Sequence, residues 1–214
     1  MQPCRERDKG FEIEDANLLI LKWGMKTGFY FHKDYEESIG FIFDENATCS
    51  SHVSNICRAA FHSLYRIGKI RHLLNRASTE RLIHAFITSR LDFCNSLLHH
   101  LPQNLTHKLH RIQNAAARLI TRSKKHDHIT PILIELHWLP VSKRTDFKIL
   151  ILTYEILHDL APAYLSELLA ARDAKRVTRS ATTETRLVEP HYSQKSYGAR
   201  AFSVCATRLW NRHP

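Results

Sequence analysis

Four metal-capable side chains fall close together in the first third of the chain: Cys49, His52, Cys57 and His62, spaced C-x2-H-x4-C-x4-H. Thiols and imidazoles at such spacing are the ligands of a structural zinc knuckle. The last three, however, lie on or beside a strongly periodic helix, where a five-residue step turns by ~140° and points ligands apart. The expectation is no metal site, with Cys57 a buried thiol that behaves as a small hydrophobe. A second cluster, His126-Asp127-His128, sits in a predicted loop, where Asp127 as a helix cap is a simpler account than a metal. Cys94 falls among leucines on an apolar helix face and reads as core rather than nucleophile. No G-x-S-x-G, phosphate-cradling Gly loop or GxGxxG occurs, so none of the common local signatures of catalysis is present. No catalytic residue is assigned.

The residues best suited to binding are basic. A helix predicted over Gln103 to Arg122 puts Leu105, Leu109, Ile112, Ala116, Leu119 and Ile120 on one side. Lys108, Arg111, Arg118 and Arg122 fall on the neighbouring strip with Ala115 between them, and Lys124 and Lys125 carry the charge past the helix end. A small residue inside a basic strip lets a phosphate backbone approach closely. These six residues are the candidate nucleic-acid contacts. Cations near a helix C-terminus also favour the macrodipole. That accounts for Arg118, Arg122 and the two lysines but not for Lys108 or Arg111.

The elements that must position this strip follow from periodicity. Val53, Ile56, Ala60, Leu64, Ile67, Ile70 and Leu74 recur at helical spacing from Ser50 onward. After a break at 75–78, Ser78 or Thr79 is the expected N-cap of a second helix carrying Leu82, Ile83, Phe86, Ile87, Leu91, Cys94, Leu97 and Leu98 on its buried side. Pro102 ends that run and opens the helix of the basic strip. Thr130-Pro131 reads as a cap and first turn, closing near Trp138-Leu139-Pro140, with Trp138 a core anchor. The stretch from about Ser142 to Leu160 is apolar round much of its circumference, which predicts burial on two sides at the centre of a bundle. A short helix from Pro162 to Leu169 and a last one from Ala199 to Trp210 complete the series. Between them, 171–197 is polar. Its Arg172, Lys175, Arg176, Arg179 and Arg186 suit either a backbone-tracking arm or a solvated linker. Near the start, Ser38 to Phe43 reads as a short strand before the turn Asp44-Glu45-Asn46.

Composition agrees with a helical, charged chain. Of 214 residues, 43% are hydrophobic and only 6 are Gly and 7 Pro, favouring helix over sheet. The net charge of +10 is uneven: 1–47 carry 6 Lys/Arg against 10 Asp/Glu, whereas 48–214 carry 25 against 11. Such a basic body suits a polyanion partner, and a merely solvated basic surface is the alternative. Five scattered cysteines without a CxxC pair argue against a disulfide framework and for a reducing, intracellular setting, nuclear or cytoplasmic. No apolar run approaches the ~20 residues of a membrane span, and no membrane partner is expected.

Longer blocks carry a resemblance. LDFCNSLL, then RIQNAAARLITRSKKHDHITPILIELHWLP, with SIGFIFD and SHVSNICRAAF before them and TYEILHDLAPAYLSELL and YGARAFSVCATRLWN after, resemble the C-terminal part of reverse transcriptases from non-LTR (LINE-type) retrotransposons of the jockey-like group. The resemblance runs from about Ser38 to the last residue and leaves 1–37 unassigned. It implies a remnant palm strand (38–46), a helical thumb-like bundle (48–100) and a C-terminal helical region (103–214) truncated at Asn211-Arg212-His213-Pro214, hence a mostly α fold. Nucleotidyl transfer needs two metal ions held by carboxylates. In this family an aspartate pair upstream does much of that work, and no Asp-Asp pair occurs here. The resemblance thus implies an RNA-directed DNA polymerase as parent, with Mg²⁺ as its cofactor, and a non-enzymatic fragment without a cofactor of its own. Its partners would be RNA or DNA through backbone contacts, and the missing palm or a second copy through exposed apolar surface. A helical protein-interaction module and a functionless genomic relic are the competing readings.

Overall fold

The computed structural model describes residues 41–42, 48–171, 186–192 and 198–212. Contacts divide the chain into two units, Met1–Phe41 and Ile42–Pro214. The described part of the second is mostly helical, as expected from the sequence. Seven α-helices follow in order: α1 (Ser50–Ile70), α2 (Arg76–Ile83), α3 (Ser89–Asp92), α4 (Gln103–Thr121), α5 (Ile129–Glu135), α6 (Val141–Leu157) and α7 (Phe202–Arg212). A π-helical turn, His84–Thr88, joins α2 to α3 without a break, and 3-10 turns occupy Asn95–Leu98, Ala163–Leu168 and Gly198–Arg200.

The expected strand at 38–46 falls largely outside the described residues. Phe41 and Ile42 form no strand, and the Ile42 N–H goes to the Nδ1 of His52 at 3.3 Å instead of to a sheet partner. Among the described residues the only β pairing is an isolated bridge between Ala171 and Leu187.

The apolar faces read from periodicity are buried along most of their length, but Ile70 at the end of α1 is exposed. Val53, Ile56, Ala60, Leu64 and Ile67 line α1, and Leu105, Leu109, Ile112, Ala116 and Ile120 line α4. These two helices pack against one another more extensively than any other pair. Helix α6 is central, touching α4, α7 and the 3-10 turns at 95–98 and 163–168. It is not buried all round, since Phe147 and Tyr154 are exposed. Trp138 is buried, with the His84 ring edge-on at 5.6 Å.

Several local expectations are corrected. The cap of α2 is Asn75, whose Oδ1 accepts the Ser78 N–H at 2.7 Å, rather than Ser78 or Thr79. Thr79 instead donates from its hydroxyl back to the Asn75 carbonyl. The second helical run stops at Asp92 instead of reaching Leu98, because Phe93 is extended and Cys94 takes a left-handed conformation at φ 50°. That kink turns Asn95–Leu98 onto α6. Phe86, expected to be buried, lies in the π-helical turn and is exposed. The cap position of α5 is His128. Asp127 closes the preceding turn, its Oδ2 accepting the Lys124 N–H at 2.7 Å, and does not cap a helix.

Candidate nucleic-acid interface

Helices α1 and α4 lie side by side and run parallel. At their C-terminal ends the buried Arg71 donates from Nε to the Leu119 carbonyl and from Nη2 to the Ile120 carbonyl, both at 2.8 Å. Toward their N-terminal ends Lys108 and Arg111 neighbour Cys57 of α1. Burial pushes the Cys57 thiol up, and these two charges work against that shift. Neither helix contains an Asp or Glu anywhere along its length. Both therefore leave the positive N-terminal end of the macrodipole without an acidic side chain in the first turn. Across 48–126 thirteen Lys and Arg face two carboxylates, Glu80 and Asp92. Asp92 is already held by Arg144, with both oxygens 3.1 Å from Nη1. Solvated surfaces usually intersperse the two signs. A face of one sign raises the local concentration of a polyanion.

The structure divides the six predicted contacts. Lys108 and Arg111 are exposed, and none of the six makes an ion pair with a carboxylate among the described residues. Arg118 is half-buried: its Nη2 donates to the Asp127 carbonyl at 3.1 Å, and its buried Nε has no acceptor. Arg122 ends α4 in a left-handed conformation, φ 58°, and its Nη2 reaches the Arg71 carbonyl at 3.4 Å. Arg118 and Arg122 thus hold the turn that closes α4, while Lys124 and Lys125 are exposed on it. Of the basic residues in 171–197, Arg172, Lys175, Arg176 and Arg179 lie outside the described residues, and Arg186 is exposed.

Sequence reasoning missed the α1 side of this face. Arg58, Phe61, Tyr65 and Lys69 are all exposed beside the buried stripe. The signal was present: large aromatics at positions the helical period assigns to solvent. Arg71 had no such signal, since its acceptors on α4 lie 48 and 49 residues on.

The C-x2-H-x4-C-x4-H residues are dispersed. Cys49 is buried and left-handed ahead of α1, accepting a 3.4 Å hydrogen bond from Arg200 Nη1. His52 is buried against Ile42, and His62 is exposed. Among the described residues no three His, Cys, Asp or Glu side chains converge as a metal site would require. Cys94 is buried and its thiol pushed up to about 12 by desolvation, so it stays protonated in the core. A cavity of about 220 Å³ between the Leu98–Leu101 segment and α6 is lined in part by His99 and Asp146, whose Nδ1 and Oδ1 are 3.4 Å apart. Burial holds the His99 pKa below its ordinary value although Asp146 opposes it.

Among the described residues no helix is long and apolar enough to cross a membrane. Comparison with protein-family models, with curated proteins and with solved structures gives no match.

Proposed function

We propose that the chain is a non-catalytic nucleic-acid-binding region, equivalent to the C-terminal part of a non-LTR retrotransposon reverse transcriptase, that contacts template–primer or element RNA through phosphates along the α1–α4 face. One observation carries this reading: two parallel, adjacent helices expose cations and contain no carboxylate. The reverse-transcriptase resemblance supplies the kind of polyanion. Residues of the blocks on which it rests also make long-range contacts. Asp92 of LDFCNSLL holds Arg144, and Gln113 of RIQNAAARL holds the backbone of the Leu139–Val141 turn. In this reading Mg²⁺ chemistry belongs to the parent's palm.

The test is the salt dependence of binding to labelled duplex DNA and to RNA of mixed sequence. About four phosphate contacts predict a slope of log K against log salt of roughly −3 to −4. Unrelated sequences should bind alike, because phosphate contacts carry no code. Binding absent at low salt, or insensitive to salt, overturns the reading.

A second reading, a helical protein-interaction module, is favoured by one feature. Phe147 and Tyr154 stand exposed one helical face apart from the core on α6, with Leu160 exposed just beyond it. Concentration-dependent association by light scattering, lost on Phe147→Ser with Tyr154→Ser, would support it.

A further inference from the structure

Exposed aromatic residues are unremarkable singly, but those of α1 are arranged. Cys57, Phe61, Tyr65 and Lys69 follow at four-residue steps, each turned only ~40° from the last. The row starts at the α4 seam beside Lys108 and Arg111 and winds into solvent. Phe61 is 42% exposed and Tyr65 64%. Arg58 lies one turn before Phe61, and Lys69 Nζ sits 4.6 Å from the centroid of the Tyr65 ring. That cation–π contact steadies the ring while leaving most of the residue open. Beside it, Gly68 occupies an ordinary helical position where an added Cβ would meet nothing within 4 Å. No neighbour in the fold requires a glycine there, although glycine weakens a helix interior. Its effect is a bare floor next to Tyr65.

We infer that Phe61 and Tyr65 form a base-stacking platform for single-stranded nucleic acid, with Arg58 and Lys69 of α1 and Lys108 and Arg111 of α4 along its backbone. This rests on the proposed nucleic-acid reading and adds the strand class. A duplex hides its base faces in its own stack and can use only the cations. A single strand offers both its phosphates and its π-faces. Charge complementarity selects a polyanion over an apolar partner for these rings, since the exposed neighbours are cationic and α1 bears no carboxylate.

The experiment uses the full chain, a fluorescein-labelled oligo(dT) 15-mer and a labelled 15-base-pair duplex, read by anisotropy at one moderate salt concentration. Phe61→Leu with Tyr65→Leu keeps apolar bulk and good helix propensity. It should weaken the single strand about tenfold or more while leaving the duplex within twofold and far-UV circular dichroism unchanged. Phe61→Tyr with Tyr65→Phe keeps both rings and should bind as the parent does. Equal losses on both ligands, no loss on either, or failure of the ring-keeping variant overturns the platform. If the unaltered chain binds neither ligand, the nucleic-acid reading itself fails. If it binds both and ring removal changes only self-association, the patch is a protein contact and the platform alone is overturned.

Discussion

Arg71 reaches across 48 positions to Leu119, its Nε 2.8 Å from the Leu119 carbonyl. It also donates at 2.8 Å to the carbonyls of Ile120 and Leu74. The last carbonyls of a helix have no partner within it, and here a guanidinium from the neighbouring helix supplies part of what is missing. The parallel pairing of α1 and α4, and so the cationic face, is pinned at this end.

Replacing Arg71 should therefore cost more than an exposed arginine would. Charged hydrogen bonds contribute about 1.5–3 kcal/mol each and are not additive. Arg71→Met is expected to destabilise by about 2–4 kcal/mol in urea denaturation. Arg71→Lys should recover little, because one ammonium cannot reproduce the planar fork. A loss below about 1 kcal/mol would show that the cap is dispensable.

Gln113, almost wholly buried, holds α6 to α4. Its Oε1 accepts the Val141 N–H at 3.1 Å and its Nε2 donates to the Leu139 carbonyl at 2.6 Å. Gln113→Met fills the space but strands the first N–H of α6. The Leu139 carbonyl keeps the Arg144 Nε at 3.0 Å. One orphaned buried donor predicts a loss of about 1–3 kcal/mol, measured as a shift in the urea midpoint with an unchanged m value.

Burial lowers the His52 pKa to about 4, and its Nδ1 must stay unprotonated to accept the Ile42 N–H. The unfolded imidazole titrates near 6.5. Between those values the unfolded chain binds the proton and the native chain does not, so stability should fall as pH drops from about 6.5 to 4 and be flat in this respect above 7. His52→Asn offers Oδ1 as a non-titrating acceptor. Its pH–stability profile should be shallower than the parent's over that window, and an identical profile would assign the acid loss to other groups.

Gly68→Ala should stabilise the chain by about 0.5–1 kcal/mol, because the position is helical and open. A lower Tm would mean that a Cβ collides with something the helix face meets in solution, such as a second copy. Light scattering on the two proteins would then differ.

The strip can be dissected by salt slope. Lys108→Gln with Arg111→Gln removes the two exposed cations beside the seam, which make no ion pair among the described residues. The slope should become shallower by about two with stability within ~0.5 kcal/mol of the parent. Arg118→Gln with Arg122→Gln should instead lower stability, since both guanidinia hold the turn after α4. The reverse pattern would exchange the roles assigned to the two pairs.

What the sequence determined by itself was chiefly local. Helical periodicity placed α1, α4 and α6 within a few residues and named most of the buried side chains of α1 and α4, because inward-facing positions repeat every 3.6 residues whatever lies opposite. It also identified Trp138 as core and drew the basic strip on α4. Breaks were less legible. Asn75, Ser78 and Thr79 all have capping chemistry, and Cys94 has no side-chain reason to be left-handed.

Tertiary structure decided which charges are free. Lys108 and Arg118 look alike in spacing, but one ends in solvent while the other meets the Asp127 carbonyl. Arg122 is similarly drawn to Arg71, 51 positions back. The juxtaposition of α1 with α4, which brings Tyr65 and Arg111 onto neighbouring helices, was equally invisible along the chain. Hydrogen-bond acceptors are supplied by backbone carbonyls, which every residue carries, so no residue type announces where an arginine will find one. Only the packing of one helix end against another selects it.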